Sequence, residues 1–191
     1  MDNEKENMDR TFMKTSLATG AGLVLAGSMG PLAWGSSASG TGLANLSLYQ
    51  LSKMIRTKEL SSKKLVELYL DRIKKFSKPD GINAYITVAG DAAMREAERL
   101  DNLAKQNKFI GPLHGLPIAV KDNLDTKNIR TTGGSKILES WTPPQDANVI
   151  KKLKEAGAII IGKTNMHEFA FGITTNNLHY GPTRNPYDLS R

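Results

Sequence analysis

Apolar residues recur at three- and four-residue steps over three stretches of the chain, the spacing that is typical of amphipathic helices. The first stretch follows Ser47, which with Gln50 forms a capping-box pattern. The second follows Ser61 or Ser62 and stops at the Pro-Asp-Gly sequence 79–81, and the third begins at Asp91. The apolar positions of the three predicted helices are Leu48, Leu51, Met54 and Ile55; Leu65, Val66, Tyr69, Leu70, Ile73 and Phe76; and Met94, Ala97, Leu100, Leu103 and Ala104.

Short apolar and β-branched runs predict strands at 84–88, 116–120 and 159–161. Between the last two, a helix is predicted to be capped by Asp146 and to end at Gly157, which suits a left-handed C-terminal position. A β-α-β alternation of this kind favours an α/β fold with a mostly parallel sheet covered by helices. In such sheets functional groups collect at the carboxyl ends of the strands, and the strand at 116–120 is expected to be buried.

The first forty residues differ from the rest and divide the chain into a segment 1–40 and a globular part 41–191. Basic residues at 10–14 precede an apolar, small-residue run at 17–26, a profile that is typical of a signal peptide. The sequence at 10–14 is similar to the second half of a twin-arginine motif, but Asp9 stands where the first arginine belongs. We therefore predict export to a periplasmic or other extracytoplasmic location. The alternative is a disordered tail on a cytoplasmic protein.

Composition excludes several kinds of site. The chain has no cysteine, which rules out disulfides, thiolate metal sites and cysteine nucleophiles. Its net charge of +7 is spread out, and the densest basic region, 63–78, alternates with acidic residues as a solvated helix face does. Nucleic-acid binding is therefore not favoured. His114, His167 and His179 lack metal-ligand spacing, and the apolar run at 17–26 is too short for a stable membrane span. No cofactor and no metal are predicted.

Two short patterns are similar to catalytic motifs but have simpler structural interpretations. Residues 157–164 have the spacing of a phosphate-binding loop, yet the three isoleucines at 159–161 predict a strand where the flexible loop would have to lie. Ser61 and Lys64 have the Ser-x-x-Lys spacing of penicillin-recognising enzymes. A serine at a helix start is an expected cap, and the chain contains no Lys-Thr-Gly partner.

Several ordered blocks carry a more specific pattern. They are Gly111-Pro112-Leu113-His114-Gly115-Leu116-Pro117-Ile118-Ala119-Val120-Lys121-Asp122-Asn123, Thr131-Thr132-Gly133-Gly134-Ser135, Gly162-Lys163-Thr164-Asn165-Met166-His167-Glu168-Phe169-Ala170 and Tyr180-Gly181-Pro182-Thr183-Arg184-Asn185-Pro186-Tyr187-Asp188. With these blocks the chain resembles the amidase signature family. The resemblance implies an α/β fold with a mixed central sheet covered by helices, of which 41–191 would be the N-terminal part.

The resemblance also implies hydrolysis of carbon–nitrogen amide bonds in small molecules, or a role as one subunit of an amidotransferase. Its catalytic set is a lysine and two serines, and the lysine corresponds to Lys121. In the family's mechanism a neutral lysine takes a proton from a relay serine held by a cis peptide bond, and that serine takes one from the nucleophilic serine. An ordinary lysine, with a pKa of about 10.4, is protonated at neutral pH, so burial must lower the pKa of the base. We expect 118–120 to form an apolar wall and Asn123 to contact the amine.

The family's two serines are expected beyond Arg191, because the Asn-Pro-Tyr-Asp block at 185–188 precedes the loop that carries them. Ser135 and Ser190 belong to other blocks and are not candidates for these roles. We therefore predict a truncated chain that is inactive alone. Two alternatives stay open: a noncatalytic binding or regulatory partner, and a protein similar to the A-type component of a glutamine amidotransferase in tRNA-dependent amidation.

Overall fold

The computed structural model of the chain describes residues 40–77 and 80–191. The predicted export segment, apart from Gly40, lies outside the described residues. Among those residues, no helix is both long and apolar enough to cross a membrane.

Five α-helices are present in the described part of the chain, including the four that the sequence predicts. They are α1 (Gly40–Leu43), α2 (Leu48–Arg56), α3 (Ser62–Phe76), α4 (Gly90–Lys105) and α5 (Asn148–Glu155). A short 3-10 turn follows at Glu168–Ala170.

Two of the predicted helix caps are confirmed. The Ser47 hydroxyl accepts a hydrogen bond from the Gln50 backbone N–H at 3.3 Å, and the Gln50 side chain accepts one from the Ser47 N–H at 2.8 Å. Ser61 caps α3 by accepting a bond from the Lys64 backbone N–H at 3.1 Å. The Ser-x-x-Lys spacing at Ser61 is therefore a helix start, as the simpler interpretation predicts.

The predicted cap of α5 is wrong. The N-cap residue is Ala147, with no side-chain cap bond, and Asp146 lies one position too early. The Asp146 carboxylate instead accepts a bond from the Lys127 N–H at 2.7 Å and forms an ion pair with Lys154 at 2.8 Å. At the other end of α5, Gly157 has a φ of +93° and so confirms the predicted left-handed stop.

The described strands form one mixed sheet. They are β1 (Tyr85–Val88), β2 (Pro117–Lys121) and β3 (Ile159–Thr164), in the order β1-β3-β2. Strand β2 is parallel to β3, as the β-α-β pattern predicts, whereas β1 is antiparallel to β3. The central strand is therefore the last of the three in the sequence.

Helices pack on both faces of this sheet. Ile159 and Ile161 of β3 join an apolar cluster with α3 and α4, while Ile160 packs with Val120 and Ile150 of α5. This alternation follows from strand geometry, since successive side chains point to opposite faces. A third cluster joins α2 and the start of α3 to Leu116, next to β2.

The prediction that the strand at 116–120 is buried is wrong for most of its length. Within β2 only Val120 is buried, and Ala119 and Lys121 are exposed. The cause is the strand order, because among the described residues β2 has a neighbour on one side only.

Candidate functional site

The sheet register brings Lys121 to the edge where β2 and β3 end. Lys121 is paired with Thr164 of β3, and Thr164 is paired on its other side with Tyr85. This places the predicted base at the carboxyl end of a parallel strand pair, where α/β proteins place functional groups.

The Lys121 side chain is exposed, which contradicts the expected burial. None of the side-chain hydrogen bonds or ion pairs among the described residues involves its amine, and Asn123 is exposed as well. Alternation along β2 accounts for this position, since Val120 faces the apolar cluster with α5 and its neighbour must face the other way. Residues 118–120 therefore do not enclose the amine.

Asp122 anchors the loop that follows the predicted base. Its carboxylate is fully buried, and one oxygen accepts bonds from the Thr132 N–H at 3.0 Å, the Thr132 hydroxyl at 2.5 Å and the Gly134 N–H at 3.3 Å. The Gly133 N–H donates to the Asp122 carbonyl at 3.1 Å. The shape of the Thr-Thr-Gly-Gly turn is thus set by the residue next to Lys121.

Lys163 is a second lysine at this edge, and it is fully buried. Its amine donates to the Leu124 carbonyl at 2.6 Å and to the Thr131 hydroxyl at 2.7 Å. Burial lowers the pKa of Lys163 from an ordinary 10.5 to about 8, while the carboxylates of Asp122 and Asp125 oppose that change. Lys163 lies on the central strand β3, and through these two hydrogen bonds it holds the loop after β2 in place.

Asn177 joins three segments around the same loop. Its amide nitrogen donates to the Gly134 carbonyl at 2.7 Å and to the Met166 carbonyl at 2.8 Å, and its oxygen accepts bonds from the N–H groups of His179 and Tyr180. The side chain is buried, and both of its amide N–H groups and its carbonyl oxygen are used in orienting backbone. The loop is rigidly fixed as a result.

Neither serine near the motif blocks is placed as a nucleophile beside Lys121. The buried Ser135 hydroxyl donates to Glu168 at 2.5 Å, which lowers the pKa of that carboxyl, and Glu168 lies 3.1 Å from the imidazole of His179. The Ser190 hydroxyl donates to the Asp188 carboxylate at 2.6 Å.

The histidines have local structural roles or lie at the surface. The Nδ1 of His114 accepts a bond from the Ile110 N–H at 3.1 Å, and its Nε2 lies 3.2 Å from the Leu100 carbonyl. Burial lowers the pKa of His114, so that the neutral ring donates from Nε2. Among residues 40–77 and 80–191 no group of three acidic or histidine side chains is arranged to hold a metal ion.

The arrangement presents the Lys121 amine beside a polar loop that Asp122, Lys163 and Asn177 hold in place. The N–H groups of Thr132, Gly133 and Gly134 are all directed to Asp122 and are not available to bind an oxyanion. What the described site can offer a substrate is therefore the exposed Lys121 amine. Sequence reasoning found Lys121 and the segment that begins at Lys163, but it did not predict that Asp122 and Lys163 are buried. Their signal is a charged residue within or directly after an apolar strand.

Comparisons with known proteins identify a matching family and similar relatives. The family model described as Amidase matches residues 64–191. The A subunit of the glutamyl-tRNA(Gln) amidotransferase of Moorella thermoacetica is 44% identical over 147 residues, which are 76% of this chain and 30% of that protein. The A subunit numbered 2 of the corresponding Clostridium acetobutylicum enzyme is 46% identical over 149 residues, or 78% of this chain and 31% of its own length.

Solved structures of amide-hydrolysing enzymes are also similar to this chain. The peptide amidase from Stenotrophomonas maltophilia superposes with a TM-score of 0.70 and 33% identity, over 77% of this chain and 31% of the amidase. A fatty acid amide hydrolase superposes with a TM-score of 0.73 and 26% identity, over 81% of this chain and 27% of the hydrolase. The chain thus spans about 30% of the length of the curated relatives it matches. Since the family model covers most of the sequence and includes Lys121, this chain belongs to the amidase signature family.

Proposed function

We propose that this chain provides the general base of an amide-hydrolysing site, and that Lys121 is that base. In its neutral form the amine accepts a proton from a relay serine, which accepts one from the nucleophilic serine. The nucleophile attacks the amide carbonyl, ammonia or an amine leaves, and water then releases the acid. The single observation that supports the proposal most is the position of Lys121, within the matched family region and at the carboxyl end of β2.

Such a base requires an apolar cover that residues 40–77 and 80–191 do not supply to Lys121. Lys163, in the neighbouring strand, shows the size of the effect, since burial lowers its pKa to about 8. We propose that the cover and both serines come from polypeptide outside the described residues, and that residues 40–191 are inactive without them.

Labelling with a serine-directed fluorophosphonate tests this proposal. The 191-residue chain should show only background labelling. Strong labelling that Lys121→Ala abolishes would contradict the proposed inactivity. Strong labelling that persists in Lys121→Ala would contradict the assignment of the base. Lys127→Ala, which removes another exposed lysine close by, is the matched control.

A second candidate function is that of one component of an amidotransferase. Identity to the A subunits of the two glutamyl-tRNA(Gln) amidotransferases is 44% and 46%, compared with 33% to the peptide amidase. In this case the amide substrate would be glutamine, with transfer of the ammonia to a charged tRNA. A cytoplasmic chain with an unprocessed N-terminus, found by fractionation and N-terminal sequencing, would favour this function.

Export is the competing proposal for location. It rests on the basic residues at 10–14 and the apolar run at 17–26, and it suits a hydrolase of extracytoplasmic amides. The same fractionation should then find a shortened chain outside the cytoplasm. A noncatalytic regulatory partner would instead be recovered bound to a full-length amidase, without labelling of its own.

A further inference from the structure

A small cavity lies between the C-terminal half of α3 and the segment that leads into β1. Its volume is about 170 Å³. Four apolar side chains line it, namely Ile73 and Phe76 of α3 and Ile82 and Ala84 just before β1. An apolar cavity of ~150 Å³ is large enough to hold one benzene ring. The cavity therefore matches a ligand with a single six-membered ring.

The lining of this cavity includes one cation and no carboxylate. Arg72 lines the cavity and is exposed, and its guanidinium carbon lies 5.7 Å from the centre of the Phe76 ring. Within the described residues Arg72 forms no hydrogen bond or ion pair, so its N–H groups are available to a ligand. Asp71 and Asp80 are close in the sequence, but neither lines the cavity. An arginine in this setting favours a carboxylate, which it can bind with two parallel hydrogen bonds.

Three of the lining residues carry hydroxyl groups. They are Tyr69, Ser77 and Tyr85, and in the part of the chain that the structure describes none of the three hydroxyls forms a hydrogen bond. Burial raises the pKa of Tyr85, so its phenol is a neutral donor at physiological pH. The lining thus supplies neutral donors in addition to the charged Arg72.

The cavity is separate from the candidate base. Tyr85 pairs with Thr164 of β3, and Thr164 pairs with Lys121 of β2. Two strand spacings, roughly 10 Å, therefore lie between the backbones of Tyr85 and Lys121. None of the lining residues belongs to β2 or to the loop that follows it, so a ligand can bind in the cavity without contacting Lys121.

We infer that this cavity binds a small aromatic monocarboxylate. The ring of the ligand packs against Ile73, Phe76 and Ile82, and its carboxylate pairs with Arg72. The inference is independent of the proposed function, because it assigns no role to Lys121.

Saturation-transfer NMR with the 191-residue chain tests the inference, with benzoate as the probe. A ligand of this size should bind with a Kd on the order of 1 mM. Benzamide has the same ring but no charge, and it should bind at least about tenfold more weakly, because it lacks the carboxylate that pairs with Arg72. The absence of benzoate binding at roughly 20 mM, or equal binding of the two compounds, would overturn the inference.

Arg72→Gln and Lys75→Gln form a matched pair of variants. Both residues are exposed on α3 and lie near the Phe76 ring, at 5.7 and 5.4 Å, but only Arg72 lines the cavity. Each change removes one positive charge, so both lower the general attraction of the chain for anions alike. Arg72→Gln should weaken benzoate binding at least about tenfold, whereas Lys75→Gln should change it by less than about threefold. Equal effects would mean nonspecific attraction and would refute the assigned site.

Lys121→Ala distinguishes the cavity from the candidate base. This variant should bind benzoate as the unaltered chain does, since Lys121 is not among the lining residues. Loss of binding in Lys121→Ala would locate the ligand at the candidate base and contradict the inference. Circular dichroism should show that each variant is folded, and the comparison of benzoate with benzamide needs no variant and stays decisive if a substitution disturbs the fold.

Discussion

Replacing Lys163 with Met tests how the buried lysine stabilises the site. Met fills a similar volume but leaves the Leu124 carbonyl and the Thr131 hydroxyl without the donors they now have at 2.6 and 2.7 Å. Each lost donor to a buried acceptor costs about 1–3 kcal/mol. The change also removes a buried ammonium that is costly to keep charged at neutral pH, so that we expect a net loss at pH 7 of about 1–3 kcal/mol.

The pH dependence of that loss is the sharper prediction. The pKa of Lys163 is about 8 in the folded chain and 10.5 ordinarily, so between these values the unfolded state binds more protons than the folded state. Stability therefore rises with pH in this window, and a shift of this size corresponds to about 3 kcal/mol. The free-energy difference between the unaltered chain and Lys163→Met should thus grow by about that amount between about pH 7 and the ordinary lysine pKa of 10.5.

Urea unfolding followed by tryptophan fluorescence measures this difference. Trp141 is a suitable probe, because its carbonyl accepts a bond from the Thr131 N–H at 3.0 Å, and Trp34→Phe removes the other tryptophan. Lys121→Met is the matched control and should change stability by less than about 0.5 kcal/mol, as exposed substitutions do. A difference that shrinks as pH rises would mean that Lys163 acts as an ordinary ion-pair partner, and the reasoning would be refuted.

Three further predictions concern the rest of the described fold. His114 has a lowered pKa, so its contribution to stability should be complete above the unfolded pKa of about 6.5 and should be lost as pH falls below it. NMR titration should find a His114 pKa below the ordinary value of about 6.5. Gly157→Ala should destabilise the chain by at least about 2 kcal/mol, since φ is +93° and a Cβ would lie 2.6 Å from the His114 Cα. Residues 41–191 expressed alone should aggregate, because large apolar side chains are exposed and β2 has a free edge among the described strands.

Each of these has its own control. A His114 pKa at or above the ordinary value would contradict the proposed burial effect, and the same chain unfolded in urea provides the reference. Gly42→Ala places a Cβ in open space within α1 and should not destabilise, so equal losses for both glycines would contradict the steric argument. A monodisperse, cooperatively unfolding monomer of residues 41–191 would contradict the aggregation prediction.

The sequence predicts the elements of this fold because their signals are local. The capping box at Ser47 and the left-handed glycine at 157 act within one helical turn, and both lie where the pattern predicts them. The burial of polar residues is different, because it depends on contacts between distant segments. Lys163 contacts a loop that lies 32 to 39 residues earlier in the chain. The apolar periodicity of neither segment indicates that contact.

The exposure of Lys121 likewise depends on contacts that the local sequence does not indicate. Family motifs identify the residue, and the strand pattern places it correctly at the end of β2. Its exposure follows from the strand order, which the pattern of apolar residues does not contain. The predicted cap at Asp146 is wrong by one residue, because Lys127 and Lys154 compete for its carboxylate.

The strand order also determines when the sheet can form during synthesis on the ribosome. Strands β1 and β2 pair only with β3 among the described elements, and β3 is the last of the three to be translated. Until residue 164 has left the exit tunnel, the two earlier strands have no backbone partner here. Strands β1 and β2 must therefore stay unpaired, in solution or bound to a chaperone, while α3 and α4 form. The sheet then assembles in one late step, through contacts between segments that are far apart in the sequence.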